Sequence, residues 1–270
     1  MKPIVVALVG NPNSGKSSLF NSITGSHQHV GNYPGVTVDK KEGVCTHKGH
    51  EMLFVDLPGT YSLTAYSEEE IVTRRFVLEE RPDVVVDVVD ASNLERNLYL
   101  GMQLIEMNAP LVFAFNMSDL AKRRGLVFDL DQLSRLLEAR IVPTVGSKGQ
   151  GREALLDAIV ETAHEGRKTR THGLHYGGEI EEELGRIESL VSLHERGLAD
   201  KYGSRWVALK LIEQDDEIVG KVQHKEVLDA ATKSVLHLRG IFRDEPEIIL
   251  ADRRYGFISG ACQETIKNSV

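Results

Sequence analysis

The stretch IVVALVGNPNSGKSSLFNSIT, residues 4–24, decides the fold. Ile4 to Val9 is an apolar run too short for a secretory core or a membrane span, and it leads straight into a glycine loop, so it reads as a buried strand. GNPNSGKS, residues 10–17, matches G-x-x-x-x-G-K-[ST], and helical periodicity follows from Lys16 to Thr24. Strand, glycine loop and helix together form the setting in which this motif holds phosphate. The loop of Gly10, Asn11, Pro12, Asn13, Ser14 and Gly15 turns its backbone N–H groups inward, and the helix start at Lys16, Ser17 and Ser18 adds a favourable dipole. Lys16 reaches the outer phosphate oxygens and Ser17 ligates Mg²⁺. A glycine turn with an incidental lysine is the plainer alternative, and it is rare between a strand and a helix.

Outward from this stretch, β-branched runs at Met52–Val55, Val84–Val89, Leu111–Phe115 and Ile141–Val142 alternate with helical patterns at Glu68–Leu78, Leu94–Met107, Asp129–Glu138 and Gly151–Ala163. That alternation predicts an α/β domain over residues 1–165, a mainly parallel sheet flanked by helices. Both periodicities lapse in GRKTRTHGLHYGGE, so residues 166–178 read as a linker. Beyond it, Ile180–Leu193, Trp206–Glu213 and Val222–Leu238 are amphipathic, which predicts a small all-helical domain over residues 179–265.

Composition narrows the function. Of 270 residues, 41% are apolar and 27% charged, with a net charge of −8, a globular profile with no apolar window long enough to span a bilayer. From Arg170 onward there are 14 Lys and Arg against 18 Asp and Glu, which argues against a nucleic-acid-binding face. The two cysteines, Cys45 and Cys262, give no disulfide framework and fit a reducing compartment.

Three further motifs sit at the carboxyl ends of predicted strands, the sheet edge that carries the phosphate loop. Asp56-Leu57-Pro58-Gly59 places an acid that can hold a Mg²⁺ water and an N–H, at Gly59, that can meet a γ-phosphate; an ordinary Pro-Gly turn is the alternative. Asn116-Met117-Ser118-Asp119 resembles N-K-x-D with Met for Lys. A carboxylate accepts from guanine N1–H and N2–H, whereas adenine offers an acceptor and no amino group there, so Asp119 selects guanine by being left unpaired against ATP. Met117 can lie on the base face; an Asn-x-x-Asp helix cap is the competing reading. Gly146, Ser147 and Lys148 fall where a loop covers the base, with small residues permitting close approach.

Between the first helix and second strand, residues 26–43 read as a polar mobile loop containing Gly35, Val36 and Thr37, whose hydroxyl can complete a Mg²⁺ shell when γ-phosphate is present. A threonine at a strand start would look the same. Asn13 offers an amide oxygen beside the phosphate track that can bind a monovalent cation, or simply an Asx turn. Thr60 stands where many GTPases carry a water-orienting glutamine, so hydrolysis is slow or places its water otherwise, with Glu69 or Glu70 as further contributors. Cys45, His47 and His50, and separately His27 and His29, invite a metal reading that lacks a fourth ligand.

Together with GNYPGVTVDKK and DLPGTYSLTAYSEEE, these pieces closely resemble the G domain of the prokaryotic ferrous-iron transport protein family FeoB over residues 3–163. The helical remainder resembles that family's domain between the G domain and the membrane, and ADRRYGFI, residues 251–258, resembles the segment before its first membrane helix. The resemblance implies a P-loop GTPase that binds GTP and GDP with Mg²⁺, is activated by K⁺ through Asn13, and uses Thr37 and Gly59 in two switch segments. It implies a helical domain that slows nucleotide release, a membrane transporter region as partner, work at the cytoplasmic side of the inner membrane, and no nucleic acid; a homo-oligomer stays open. An RNA- or ribosome-associated regulatory GTPase is the alternative.

Overall fold

The computed structural model describes residues 2–25, 27–33, 36–167 and 174–268. In chain order the first half comprises β1 Ile4–Gly10, α1 Lys16–Thr24, β2 Gln28–Asn32, β3 Asp39–His47, β4 His50–Asp56, α2 Glu68–Arg75, β5 Val84–Asp90 and α3 Leu94–Glu106. It continues through β6 Leu111–Asn116, α4 Ser118–Arg123, β7 Leu126–Phe128, α5 Leu130–Leu137, β8 Arg140–Pro143 and α6 Arg152–Glu165. A seven-stranded sheet runs in the order β2-β3-β4-β1-β5-β6-β8. Strand β1 pairs in parallel with β4 and β5, and the parallel run continues through β6 to β8, while β2-β3-β4 is antiparallel.

The central strands are the most apolar because both their faces are covered. Every residue of β5 before Asp90 is buried, as is β1 from Val6 onward. Leu19, Phe20 and Ile23 of α1 and Leu155, Leu156 and Ile159 of α6 pack with Val6, Leu8, Val86 and Val88 into one core. On α3, Gly101 lets the helix lie close to the sheet: a Cβ there would stand 2.5 Å from the Phe113 ring.

The segment read as a mobile loop is strand along much of its length. β2 is almost wholly exposed, so it shows no apolar alternation, and its pairing with β3, from Gln28 opposite Gly43 to Asn32 opposite Asp39, is what fixes it. The predicted helix over 68–78 gives way at Phe76 to a wider π-type turn ending at Arg81, whose φ is 48°.

The chain divides into two compact units, residues 1–171 with 258–270, and residues 172–257. The second is built from α7 Gly178–His194, α8 Arg196–Tyr202, α9 Ser204–Ile212, α10 Asp216–Val219, α11 Lys225–Phe242 and most of α12 Pro246–Thr265. Residues 251–258 lie inside α12. The helix's C-terminal end, read from sequence as part of the helical domain, groups with the first unit because β9, Ile266–Asn268, pairs antiparallel with β7 and Asp129 N–H donates to the Thr265 carbonyl at 2.8 Å. No described helix is long and apolar enough to cross a membrane.

Candidate functional site

The phosphate loop leaves β1 at Gly10, where a Cβ would stand 2.5 Å from the Val88 carbonyl oxygen and 2.9 Å from Ser14 Oγ. Asn13 holds φ 67°, a left-handed turn that asparagine tolerates. Gly15 has φ +84°, and a Cβ on it would lie 2.2 Å from Asn116 Nδ2. Both glycines are therefore required by close packing as well as by backbone freedom. Asn11 Oδ1 and Ser14 Oγ are buried without a hydrogen-bond partner among the described residues, an arrangement that a polar ligand at this loop would relieve.

Asp56 ends β4 beside the loop and forms an ion pair with Lys16. The chain after it is tied back to β1: Leu57 N–H donates to the Leu8 carbonyl at 3.0 Å and Thr60 N–H to the Gly10 carbonyl at 3.2 Å. Two cavities meet at Lys16 and Ser17. One, of ≈ 500 Å³, is lined by the loop, including Asn11, Pro12, Asn13 and Ser18, and by Gly59. The other, of ≈ 420 Å³, is lined by Ser17, Thr37, Asp56, Leu57 and Pro58 together with Glu68 and Glu69. Its hydroxyls and carboxylates are hard oxygen donors of the kind Mg²⁺ takes. Val36 is half-buried and Thr37 exposed, while Gly35 lies outside the described residues.

Glu70 has a different task from Glu69. Its carboxylate accepts from Ser62 Oγ at 2.6 Å and from Tyr66 N–H at 2.8 Å, and Ser67 Oγ caps the helix by accepting from Glu70 N–H at 3.2 Å. Glu70 thus anchors the segment after Gly59 to the start of α2. Thr60 is buried and donates its hydroxyl to the Ser62 carbonyl at 2.8 Å.

Asn116, at the end of β6, joins three loops. Its Nδ2 donates to the Ser14 carbonyl at 2.9 Å, and its Oδ1 accepts from Gly146 N–H at 2.8 Å and from Thr144 Oγ1 at 3.4 Å. The loop of Gly146, Ser147 and Lys148 also packs on α1, since a Cβ on Gly146 would meet Leu19 N at 3.0 Å. Met117 takes φ 56°, opening α4. Asp119 receives a 2.7 Å hydrogen bond from Lys148, which holds its carboxyl below the usual range.

Sequence reasoning missed Tyr33. Its hydroxyl is buried, and burial with Asp56 and Glu42 nearby pushes its pKa up, so it stays a neutral phenol beside the Asp56 carboxylate. The Tyr in GNYPG was the available signal. Cys45 and His47 share the buried face of β3, but His47 directs Nε2 to Asp157 at 2.7 Å and Nδ1 to Glu153 at 3.3 Å, and His50 rests edge-on to His164. His27 and His29 are exposed.

Residues 4–159 match the family described as ferrous iron transport protein B, and residues 176–267 match the FeoB cytosolic helical domain. The chain is 45% identical to the Fe(2+) transport protein A/Fe(2+) transporter FeoB fusion protein of Porphyromonas gingivalis, over 98% of this chain and 32% of that protein. It is 38% identical to the Fe(2+) transporter FeoB of Escherichia coli K12, over 100% of this chain and 34% of that protein. It thus spans about a third of the length of the curated relatives it matches. Among solved structures, a point mutant of S. thermophilus NFeoB bound to GDP superposes with a TM-score of 0.88 at 36% identity, covering 97% of this chain and 99% of that one. The cytosolic domain of T. maritima FeoB in its GDP form I gives 0.83 at 33% identity, covering 99% of each.

Proposed function

The chain belongs to the ferrous iron transport protein B family, and from that premise we propose that it is the GTP-binding and GTP-hydrolysing switch of a prokaryotic Fe²⁺ transporter. In this reading it works at the cytoplasmic side of the inner membrane with a transporter region like that of its longer relatives. The observation that carries the reading is Asn116, whose one side chain bonds both the phosphate loop and the loop at Gly146. It sets a phosphate cradle and a base pocket at a fixed separation.

The residues divide the work by chemistry. The loop's N–H groups bind phosphate, and Lys16 offsets the charge that builds on the bridging oxygen during in-line attack of water. Ser17 and Thr37 would hold Mg²⁺, with Asp56 acting through a water, and Asn13 would hold K⁺. Bound there, both cations neutralise phosphate charge. Asp119, whose carboxyl Lys148 holds below its ordinary range, takes guanine N1–H and N2–H, while Met117 covers the base face. Gly59 offers its N–H to the γ-phosphate, and the Glu70 anchor passes the loss of that contact to residues 62–66 and α2. Thr60 has its hydroxyl committed to Ser62, so it does not orient the attacking water, and intrinsic hydrolysis is either slow or has its water placed by backbone, a cation or another side chain.

The test is equilibrium binding of GTP and ATP analogues, with hydrolysis followed in KCl and in NaCl for the wild type and Asn13→Ala. Preference for GTP and a potassium-specific rate increase absent from the variant are expected. Equal affinity for the two analogues would remove the proposed activity. Equal rates in both salts would remove the cation role of Asn13 and leave the rest.

A further inference from the structure

We propose that His194, His224 and Glu226 form a site for one divalent transition-metal ion, with all three ligands drawn from the helical unit. Among the described residues this is a group of metal-ligating side chains whose donor atoms lie within 4.8 Å of one another. His194 ends α7, while His224 and Glu226 sit at the start of α11. Their approach is set by a buried carboxylate that none of the nucleotide-site motifs contains. Glu195, next to His194 in the chain, accepts from Gln223 N–H at 2.7 Å and from His224 N–H at 2.6 Å. Charge-assisted bonds of that kind hold the end of one helix against the entry to the other. The two imidazoles consequently stack with centroids 4.1 Å apart, and His194 Nε2 stands 3.5 Å from Glu226 Oε2.

Two imidazoles and one carboxylate are the donor set of three-ligand Zn²⁺ sites and of Fe²⁺ sites that keep open positions. Donors on a tetrahedral ion with bonds near 2 Å lie about 3.3 Å apart, so His194 Nε2 and Glu226 Oε2 already stand near that spacing and no pair has to close by more than about 1.5 Å. His224 and Glu226 are exposed and free to make that movement. The near-parallel rings turn at the same time so that both in-plane lone pairs meet at the ion. The adjoining surface cavity, ≈ 670 Å³, is lined by Arg186, Lys225 and Lys233 as well as Glu226 and Asp229. The metal-ligating group is not the all-oxygen set that Mg²⁺ takes, and imidazole coordination selects Fe²⁺, Co²⁺ or Zn²⁺ instead.

The alternative is a stacked pair in which His194 is simply paired with Glu226 and binds no ion. Titrating the full untagged 270-residue chain with Co²⁺, read by visible absorption, and with Zn²⁺, read by calorimetry, separates the two. The variants are His224→Ala and Glu226→Gln. The His224 side chain makes no capping hydrogen bond to α11, so its removal leaves the helix start intact, which circular dichroism verifies. One equivalent of metal is expected in the wild type, weakened by more than about 10-fold in both variants, the scale seen for losing even an outer partner of a metal site. GTP-analogue affinity is expected to stay unchanged. Anaerobic Fe²⁺ competing with Co²⁺ for the same equivalent would extend the assignment to iron. Absence of binding in the wild type, or equal stoichiometry and affinity in all three proteins, would overturn it.

Discussion

Asp87 in the sheet and Glu213 in the helical unit are both buried carboxyl groups, and the fold leaves them in opposite protonation states. Asp87 lies mid-strand in β5, 1% exposed, with neither oxygen hydrogen-bonded among the described residues; burial alone pushes its pKa up to about 8. Burial pushes Glu213 upward too, but Lys210 at 2.6 Å and Arg254 at 2.6 Å outweigh it and hold the group at about 2. Burial neutralises an acid unless cations are buried with it. In the helical unit two buried carboxylates, Glu213 and Glu195, are both satisfied from within the unit. Among the described residues the first unit leaves polar atoms without protein partners, at Asn11 and Ser14 along the phosphate loop and at Asp87 in the core.

The sharpest way to break the contrast is Glu213→Gln. It strands Lys210 and Arg254 as uncompensated buried charges and is expected to destabilise the helical unit by about 3–5 kcal/mol. The only tryptophan, Trp206, is buried on α9, so its fluorescence in urea reports on this unit. The sign with pH follows from the depressed value. The wild type keeps the Glu213 contribution above about pH 4.5 and loses it as pH falls through about 2, and the variant lacks that acid limb. Equal unfolding midpoints would mean the triad is neutral in sum.

Next in size is Asn116→Ala, which removes polar bonding from the first unit. Gly146 N–H and the Ser14 carbonyl would each lose a buried partner, so a loss of about 2–3 kcal/mol in stability is expected. Affinity for GTP analogues is expected to fall with it. A variant of unchanged affinity would show that the two loops keep their spacing without the tie.

How much of this was legible depends on whether a signal is local. The strands β1, β5 and β6 are near-continuous apolar runs because both faces are covered, and GNPNSGKS, Asp56 and Asn116-x-x-Asp119 start at or stand on strand ends, so all could be read one segment at a time. β2 could not, since its residues are exposed and only its register with β3 makes it a strand. β9 pairs with β7 from far earlier in the chain, and no window contains both. The pinning of His224 by Glu195 is likewise a tertiary fact. Asp87 reads from sequence merely as one polar residue in VVVDVVD, because nothing local says that no partner arrives.

Asp87→Asn sharpens the comparison at a smaller scale. With the folded value near 8 and the ordinary value 3.8, the group's contribution is complete below pH 4, declines between the two values and levels off above 8. Between pH 6 and pH 7 the wild-type first unit is expected to lose about 1.4 kcal/mol through this group, and the variant to lose none. Hydrogen exchange of β5 amides at the two pH values measures it. A wild type with no such slope would mean that Asp87 has found a partner in solution.

The smallest effect is expected at Asp119, a carboxylate paired with a cation as Glu213 is, but at the surface. Lys148 lowers its pKa chiefly through their hydrogen bond. Water would hydrate the ionised form in any case, so Lys148→Ala is expected to raise the carboxyl toward its ordinary value without un-ionising it at pH 7, and to leave unfolding midpoints unchanged. Discrimination of GTP from ATP analogues is expected to persist, because it depends on the carboxylate accepting two hydrogen bonds rather than on what holds its charge. Carbon-detected NMR titration of Asp119 follows the shift, and analogue binding follows selectivity. Lost selectivity in Lys148→Ala would mean that the lysine orients the carboxylate toward the base, and that even an exposed pair in this molecule acts through geometry rather than charge.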